Sequence, residues 1–399
     1  MDVESARWLV SADAVSAIER AGGFADPGSL QAGTALRREL PCDRAAAVLD
    51  LVALRRRARA KLGDRADEAY LTHDGLQQAT RWQVARWRAE QIANLGFDSV
   101  LDLGCGLGID ALACLDAGLA VTAVECDEVT AVLAEANLRA HRAAKGSDVV
   151  IVADATTLDL VPWLGGSRTA VFCDPARRTP RGRSWDVADL SPSWEFVASL
   201  LSRAQGLVVV KLGPGFPLRL LPEDCDATWV SQDGDLVETT VWAWPGAGAR
   251  RTAVVLNHGG ETRLAAGTPC PAAGPVSDHL FEPDPAVIRS RAVGALAERL
   301  GAWPLAAGIA YLTGPNAAPT PLATGFAITQ TLDFSVRTLR AWARDHRIGA
   351  LEIKVRGLDV DPALLRRDLR LSGRNQATVV LTPTIEGTKI VVVRRHLPV

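Results

Sequence analysis

The chain has 399 residues, 48% of them hydrophobic and 23% charged, with a formal net charge of −2 at pH 7. This is the composition of an ordinary soluble protein with room for two or three domains. No apolar run approaches the roughly 20 residues that span a bilayer, and the N-terminus lacks the pattern of a signal peptide, so we expect a cytoplasmic protein without a membrane partner. The seven cysteines form no C-x-x-C pair and no cluster with His, which argues against a metal site or a disulfide framework.

The first 75 residues are predicted to form a helical segment. Between Leu40 and Gly63, apolar side chains recur at helical spacing, and basic side chains occupy the other face. A further helix, for which Thr80 is the predicted N-cap, leads directly into the first predicted strand.

From Ser99 onward, short apolar runs alternate with helical patterns, as in an open parallel sheet. The predicted parallel strands are residues 99–103, 120–124, 149–153, 169–173 and 206–211. A hairpin with an Asp233-Gly234 turn follows, and its second strand runs from Leu236 to Trp244. Five parallel strands that end in an antiparallel pair resemble the sheet of class I methyltransferases and differ from an all-parallel dinucleotide fold.

The segment from Val100 to Asp110 predicts a buried strand, a glycine loop and a helix with an acid in its first turn. Its glycines (Gly104, Gly106 and Gly108) follow the spacing G-x-G-x-G, which is tighter than the G-x-G-x-x-G loop that wraps a pyrophosphate. This loop suits a ligand without phosphates, and S-adenosylmethionine (SAM) is the ligand we predict. A tight strand–helix turn with incidental glycines is the alternative.

Three acids at predicted strand ends suit the parts of SAM. Asp102 could hold the ammonium group, or an ordered water beside it, and Glu125 could accept the two ribose hydroxyls. Asp154 could accept from the adenine amino group while the backbone of Ala155 reads the ring edge, although Asp154 could equally cap a helix. Glu125 could instead be an exposed acid at a strand end.

Four further residues complete the predicted cofactor site. Cys105, within the glycine loop, and Cys126, directly after Glu125, are assigned to it. Thr80 and Arg88, on the helix before the glycine strand, could cover the methionine carboxylate, with simple packing as the alternative.

The fourth strand leads into Asp174-Pro175-Ala176-Arg177-Arg178. Here the chain resembles class I SAM-dependent methyltransferases, and specifically a bacterial group with this DPARR sequence and a C-terminal THUMP-like domain. The resemblance covers roughly residues 75–399. It implies a Rossmann-like α/β sheet, SAM as cofactor and S-adenosylhomocysteine (SAH) as product.

Related nucleic-acid enzymes carry Asn or Asp, two prolines and an aromatic residue at this strand end, where they accept from an exocyclic amine and stack on a flipped base. Asp174 and Pro175 are therefore the predicted catalytic residues, and Asp174 also borders the cofactor. The aromatic position is Arg177, which could stack through its guanidinium plane or hold a phosphate.

Basic residues around this motif are predicted to bind substrate. Arg177, Arg178 and Arg181 form a basic loop, which could instead be a solvated surface. Lys211 lies near the end of the fifth strand and could face the site, with a surface lysine as the alternative. Because Cys225 is ten residues past that strand, the cysteine-dependent mechanism of uracil C5 methyltransferases is rejected.

The C-terminal region carries an excess of basic residues. From Leu322 to Val399 there are 13 Lys and Arg against 7 Asp and Glu. Such a module is compatible with a polyanionic partner or with a solvated surface. We divide the chain into a helical segment (1–75), a methyltransferase domain (76–275), a ferredoxin-like α+β unit (280–320) and a THUMP-like basic domain (321–399).

The predicted function is methyl transfer from SAM to RNA, either tRNA or rRNA. One alternative is a methyltransferase for a small molecule or a protein. The other is a non-catalytic RNA-binding protein that uses SAM as a structural ligand.

Overall fold

The computed structural model describes residues 1–141, 149–164, 168–177 and 187–395. The chain divides into two compact units: the first unit (Met1–Asp226 with Thr239–Ala249) and the second unit (Ala227–Glu238 with Arg250–Val399). Within the described residues, no helix combines the length and the apolar character needed to cross a membrane.

The first unit contains the predicted N-terminal helices and the helices that follow. They are α1 (Val3–Leu9), α2 (Val15–Gly22), α3 (Leu30–Leu36), α4 (Cys42–Leu62), α5 (His73–Gln78), α6 (Trp82–Asn94), α7 (Ile109–Asp116), α8 (Glu128–Ala140), α9 (Val161–Leu164) and α10 (Trp194–Ser202). The prediction that Thr80 caps α6 is wrong, because the N-cap of α6 is Arg81. Thr72 instead caps α5, and its Oγ1 accepts from the backbone N–H of Gly75 at 3.1 Å.

The strands of the first unit confirm the predicted parallel sheet. They are β1 (Ser99–Leu103), β2 (Ala120–Glu125), β3 (Val149–Val152), β4 (Thr169–Cys173), β5 (Ala176–Arg177), β6 (Leu190–Ser191) and β7 (Val208–Leu212). Five of them pair in parallel in the order β3-β2-β1-β4-β7, while β5 and β6 form a separate short pair. Leu101, Val171 and Val209 are buried in β1, β4 and β7, as expected where both faces of a parallel sheet are covered.

The predicted antiparallel pair is also present. The strands β8 (Asp226–Gln232) and β9 (Asp235–Ala243) are joined by Asp233 and Gly234. Both turn residues have a positive φ, of 53° and 87°, which is the conformation that a two-residue hairpin turn requires. The last part of β9, Thr239–Ala243, pairs antiparallel with β7.

The second unit is an α+β structure. Its remaining elements are β10 (Arg251–Asn257), β11 (Gly260–Ala265), β12 (His279–Pro283), α11 (Pro285–Arg289), α12 (Val293–Leu300), β13 (Trp303–Pro304), β14 (Leu312–Gly314), β15 (Ala323–Asp333), α13 (Val336–Asp345), β16 (Ile348–Val355), α14 (Pro362–Leu369), β17 (Asn375–Thr384) and β18 (Gly387–Arg395). Strands β12 to β18 form one sheet in the order β13-β14-β12-β15-β18-β17-β16. The predicted segments 280–320 and 321–399 therefore share a sheet, and the division into four parts stays a prediction.

Candidate active site

The predicted site residues of the first unit meet at the edge of the sheet where the parallel strands end. Asp102 is the penultimate residue of β1, and Glu125 is the last residue of β2. Asp174 directly follows β4, and Lys211 is the penultimate residue of β7. The carboxyl ends of parallel strands lie at one edge of a sheet, which is where open α/β folds bind their ligands. We call this region the carboxyl edge.

The glycine loop between β1 and α7 needs its glycines for two reasons. Gly104, Gly106 and Gly108 have φ angles of 80°, 54° and 76°, in the left-handed region that favours glycine. A Cβ atom built on Gly104 or Gly106 would meet no other atom within 4 Å. The loop therefore borders open space that a ligand can occupy against bare backbone.

Asp102 is a buried carboxylate of the carboxyl edge whose environment suits a ligand with a hydrogen-bond donor or a positive charge. The residue is 1% exposed, and within the described part of the chain neither of its carboxylate oxygens has a hydrogen-bond partner. Burial, together with the charges of Asp110 and Asp174, raises the pKa of Asp102 well above its usual value. Because a buried carboxylate without a donor costs free energy, a cationic or hydrogen-bonding ligand would stabilise this side chain.

Glu125 connects the end of β2 to the glycine loop. Its Oε2 accepts from the backbone N–H of Gly106, and its Oε1 accepts from that of Asp127, both at 2.9 Å. A carboxylate offers about four lone-pair sites, so both oxygens can accept further hydrogen bonds. This arrangement fits the predicted binding of two ribose hydroxyls.

Asp154 lies two residues beyond β3 and is exposed. Its Oδ1 accepts from the backbone N–H and the hydroxyl of Thr156, at 2.8 and 2.7 Å, and these bonds lower the pKa of Asp154. The side chain therefore caps a short 3-10 helix that begins at the buried Ala155. The capping alternative is present in the structure, and adenine recognition by Asp154 and Ala155 stays a prediction.

The two predicted cysteines are neutral thiols. The Sγ of Cys105 lies 3.6 Å from the carbonyl oxygen of Gly106, and the Sγ of Cys126 lies 3.5 Å from Oε1 of Glu125. Burial and the nearby acids raise the pKa of both thiols. Their contact with the cofactor stays a prediction.

Thr80 and Arg88 both bind Asp110, in the first turn of α7. The hydroxyl of Thr80 donates to Oδ2 of Asp110 at 2.7 Å, and Nη1 of Arg88 forms an ion pair with Oδ1. Arg88 is 2% exposed, and its guanidinium lies 5.0 Å from the ring centre of Phe172. The two side chains predicted to cover the methionine carboxylate therefore hold a protein carboxylate, and their contact with the cofactor stays a prediction.

Asp110 is a residue of this site to which the sequence analysis gave no role, although it mentioned an acid at this position. Burial acts to raise its pKa, but Arg88 and Lys211 hold the pKa of Asp110 below its usual value. Its position two residues after Gly108, in the first turn of the helix that follows the glycine loop, could have indicated that it lies at the site.

Asp174 and Lys211 form an ion pair at the ends of β4 and β7. Burial raises the pKa of Asp174, and the Lys211 ammonium opposes that rise. The Lys211 side chain is only 14% exposed, so the alternative of a surface lysine is wrong. Pro175, beside Asp174, is buried, and Arg177 lies in β5, paired with Leu190. The predicted substrate residues Arg178 and Arg181 lie outside the described residues.

The charges of the carboxyl edge fit SAM. Four acids (Asp102, Asp110, Glu125 and Asp174) face two cations (Arg88 and Lys211). SAM carries a sulfonium, an ammonium and a carboxylate, and hence a net positive charge that this edge complements. Asp102, whose carboxylate has no partner among the residues described, would hold the ammonium, and Glu125 would hold the ribose. Within the described ranges, no group of three or more His, Cys, Asp or Glu side chains could hold a metal ion.

Comparisons with known proteins agree with this geometry. Two uncharacterized S-adenosylmethionine-dependent methyltransferases, from two strains of Mycobacterium tuberculosis, are each 33% identical over 351 residues, which covers 85% of this chain and 93% of the relative. A crystal structure of a proposed methyltransferase from Porphyromonas gingivalis superposes with a TM-score of 0.73 and 19% identity, covering 98% of this chain and 97% of the other, and it shows the same fold.

Two family models match parts of the chain. A THUMP domain-like family covers residues 323–395, within the predicted THUMP-like region, and a domain of unknown function covers residues 2–58. The predicted class I fold, the THUMP-like domain and the cofactor are thereby confirmed. The chain belongs to the family of S-adenosylmethionine-dependent methyltransferases.

Proposed function

We propose that this methyltransferase acts on RNA and methylates a base of tRNA or rRNA. The observation that carries the proposal is a large basic groove in the second unit, within the THUMP-like region. This groove, which we call the arginine groove, has a volume of about 1060 Å³. Its lining residues are Thr329, Gly349, Ala350, Leu351, Glu352, Arg366, Arg367, Arg370, Leu371, Gln376, Ala377, Thr378, Val392, Val393, Arg394 and Arg395.

The lining of the arginine groove suits a polyanion. It includes five arginines, all exposed, whose planar guanidinium groups match phosphate geometry. Among the described lining residues Glu352 is the single acid, and its Oε2 accepts from the hydroxyl of Thr378 at 2.9 Å. Because positive charge is concentrated on one surface, this groove is the docking site that we assign to the RNA backbone.

The carboxyl edge of the first unit supports chemistry on a base amine. SAM supplies an activated methyl group, so the protein has mainly to align the target atom with it. The Asp174 carboxylate and the backbone carbonyl of Pro175 can accept the N–H groups of an exocyclic amine. The Lys211 ammonium favours the ionised form of Asp174, which is the form that accepts. With SAM bound, the amine would accept the methyl group, and Asp174 or solvent would take up the proton that the amine releases.

A covalent mechanism through Cys225 finds no support in the structure. That cysteine is 5% exposed, and burial raises the pKa of its thiol to about 12. Since the thiolate is the nucleophile, a thiol with such a pKa is unreactive at neutral pH.

The proposal is tested with methyl-labelled SAM and total RNA from a strain that lacks the gene. We expect label in RNA that ribonuclease removes, and little or no label with Asp174→Ala. Asp98→Ala should give normal labelling, because Asp98 lies at the opposite end of β1 in an exposed ion pair with Arg168. Label in proteins or metabolites instead of RNA would overturn the RNA assignment. RNA binding without transfer to any acceptor would favour a non-catalytic role.

A further inference from the structure

The linker between α4 and α6, residues 63–81, is hydrogen-bonded to the glycine loop through one buried amide. Asn137 on α8 is 4% exposed, and its Nδ2 donates to the carbonyl oxygens of Tyr70 at 3.0 Å and Leu107 at 2.9 Å. The backbone N–H of Tyr70 donates to Oδ1 of the same side chain at 2.7 Å. Because Leu107 belongs to the glycine loop, Asn137 fixes the linker and the loop to each other.

Packing brings a second part of this linker against the loop. A Cβ atom built on Gly75 would lie 2.4 Å from Cδ1 of Leu107, closer than real carbon atoms approach. Gly75 therefore allows the linker backbone to lie directly on the side chain of Leu107.

Lys61, in the last turn of α4, holds the part of the linker nearest to α6. Its Nζ donates to three carbonyl oxygens: that of Leu76 at 2.9 Å, that of Gln77 at 2.8 Å and that of Ala79 at 3.2 Å. An ammonium group has three N–H donors, so these bonds use all of them. Burial and the nearby charges of Lys211 and Arg81 lower the pKa of Lys61.

The next residue after Ala79 is Thr80, whose hydroxyl binds Asp110 at 2.7 Å. Asp110 is one of the acids whose charge raises the pKa of Asp102. A chain of contacts therefore runs from Lys61 through the backbone of Ala79 to Thr80 and Asp110, beside the carboxylate that we assign to the SAM ammonium.

We propose that Lys61 is a positioning residue of the cofactor site, which holds the linker so that Thr80 meets Asp110 beside the bound SAM. The N-terminal helices thereby take part in cofactor binding. This inference rests on the assignment of the glycine loop and Asp102 to SAM.

A double-mutant cycle on the affinity for SAM, measured by titration calorimetry with the full chain, tests this inference. Lys61→Met and Thr80→Val should each weaken binding by about tenfold, and the double variant should bind no more weakly than either single variant, because both changes break the same chain of contacts. Lys61→Arg should restore most of the affinity. Arg56→Met, which removes an exposed cation of the same helix bonded to the carbonyl oxygens of Gly22 and Ala25 outside the linker, should bind SAM normally.

Unchanged SAM affinity in Lys61→Met, or effects that multiply in the double variant, would overturn the inference. Should Lys61→Met fail to fold, Lys61→Gln takes its place in the cycle. Asp102→Ala reports separately on the site itself: if it binds SAM as well as the unchanged protein does, the assignment of the site is wrong, whatever the cycle shows.

Discussion

The carboxyl edge of the first unit and the arginine groove of the second unit hold their charges in different environments. At the edge, Asp102 and Arg88 are almost completely buried, so their charges act in a low dielectric and at fixed positions. In the groove, residues such as Arg367 and Arg394 are exposed to solvent. Fixed buried charge suits a small ligand of defined shape, whereas exposed positive charge suits a long polyanion and is screened by salt.

The largest effect is expected from a change at the carboxyl edge that leaves the groove intact. Asp174→Ala removes the acceptor for the target amine, and we expect the rate of methyl transfer to fall by about 10²- to 10⁴-fold. Asp174→Asn keeps one acceptor oxygen and should retain intermediate activity. Single-turnover transfer to RNA measures both rates, and RNA affinity serves as the control that should not change. A rate within threefold of normal for Asp174→Ala would exclude its catalytic role.

The next effect is expected at Asp102, whose buried carboxylate has no hydrogen-bond partner in the described part of the chain. Asp102→Asn should weaken SAM binding by about 30-fold or more, since removing one partner of a buried charge pair costs about 2–5 kcal/mol. Only the carboxylate attracts the ammonium, and its pKa is raised, so affinity in the unchanged protein should increase as the pH rises through that pKa.

Calorimetric titration with SAM at a series of pH values measures both the loss of affinity in Asp102→Asn and the increase of affinity with pH in the unchanged protein. Asp102→Asn should show no such increase with pH, and the exposed Asp98→Asn should behave like the unchanged protein. An Asn variant that keeps the pH dependence would assign it to another group.

Asp102→Asn is expected to weaken SAM binding but to stabilise the protein in the absence of SAM, by a smaller amount. An acid whose pKa is raised by folding destabilises the folded state when it is ionised, so stability without SAM should increase as the pH falls through the raised pKa of Asp102. Asp102→Asn removes that charge at neutral pH and should raise the free energy of unfolding by about 1 kcal/mol, or the Tm by about 2–4 °C. Added SAM should raise the Tm of the unchanged protein more than that of Asp102→Asn, which binds SAM more weakly. A lower Tm for Asp102→Asn in thermal unfolding would show that the ionised, buried carboxylate does not destabilise the folded protein.

Local patterns predicted much of the first unit. The strands β1, β2, β3, β4 and β7 each overlap their predicted ranges, because buried parallel strands appear as short apolar runs. The glycine loop was predicted from its G-x-G-x-G spacing, and its positive φ angles are ones that glycine adopts without steric cost.

Contacts between distant segments could not be predicted in this way. Thr80 and Asp110 are 30 residues apart, and Asp174 and Lys211 are 37 apart, so their bonds depend on which strand and helix ends meet in space. Thr80 was predicted as a cap because Thr is a good N-cap residue, but its hydroxyl has Asp110 as a partner and α6 begins later. In the second unit, the pairing of β12 with β15 joins two segments that sequence alone placed in separate domains.

The most direct test of the division between the two units measures RNA affinity over a series of salt concentrations, with SAM affinity measured in parallel. The variant is Arg367→Ala with Arg394→Ala, and the control is Arg344→Ala, an exposed arginine of the same unit beside Asp345. We expect about tenfold weaker RNA binding for the double variant, a salt slope reduced by about 2, and normal SAM affinity, with Arg344→Ala unchanged. Normal RNA affinity and an unaltered salt slope in the double variant would contradict it.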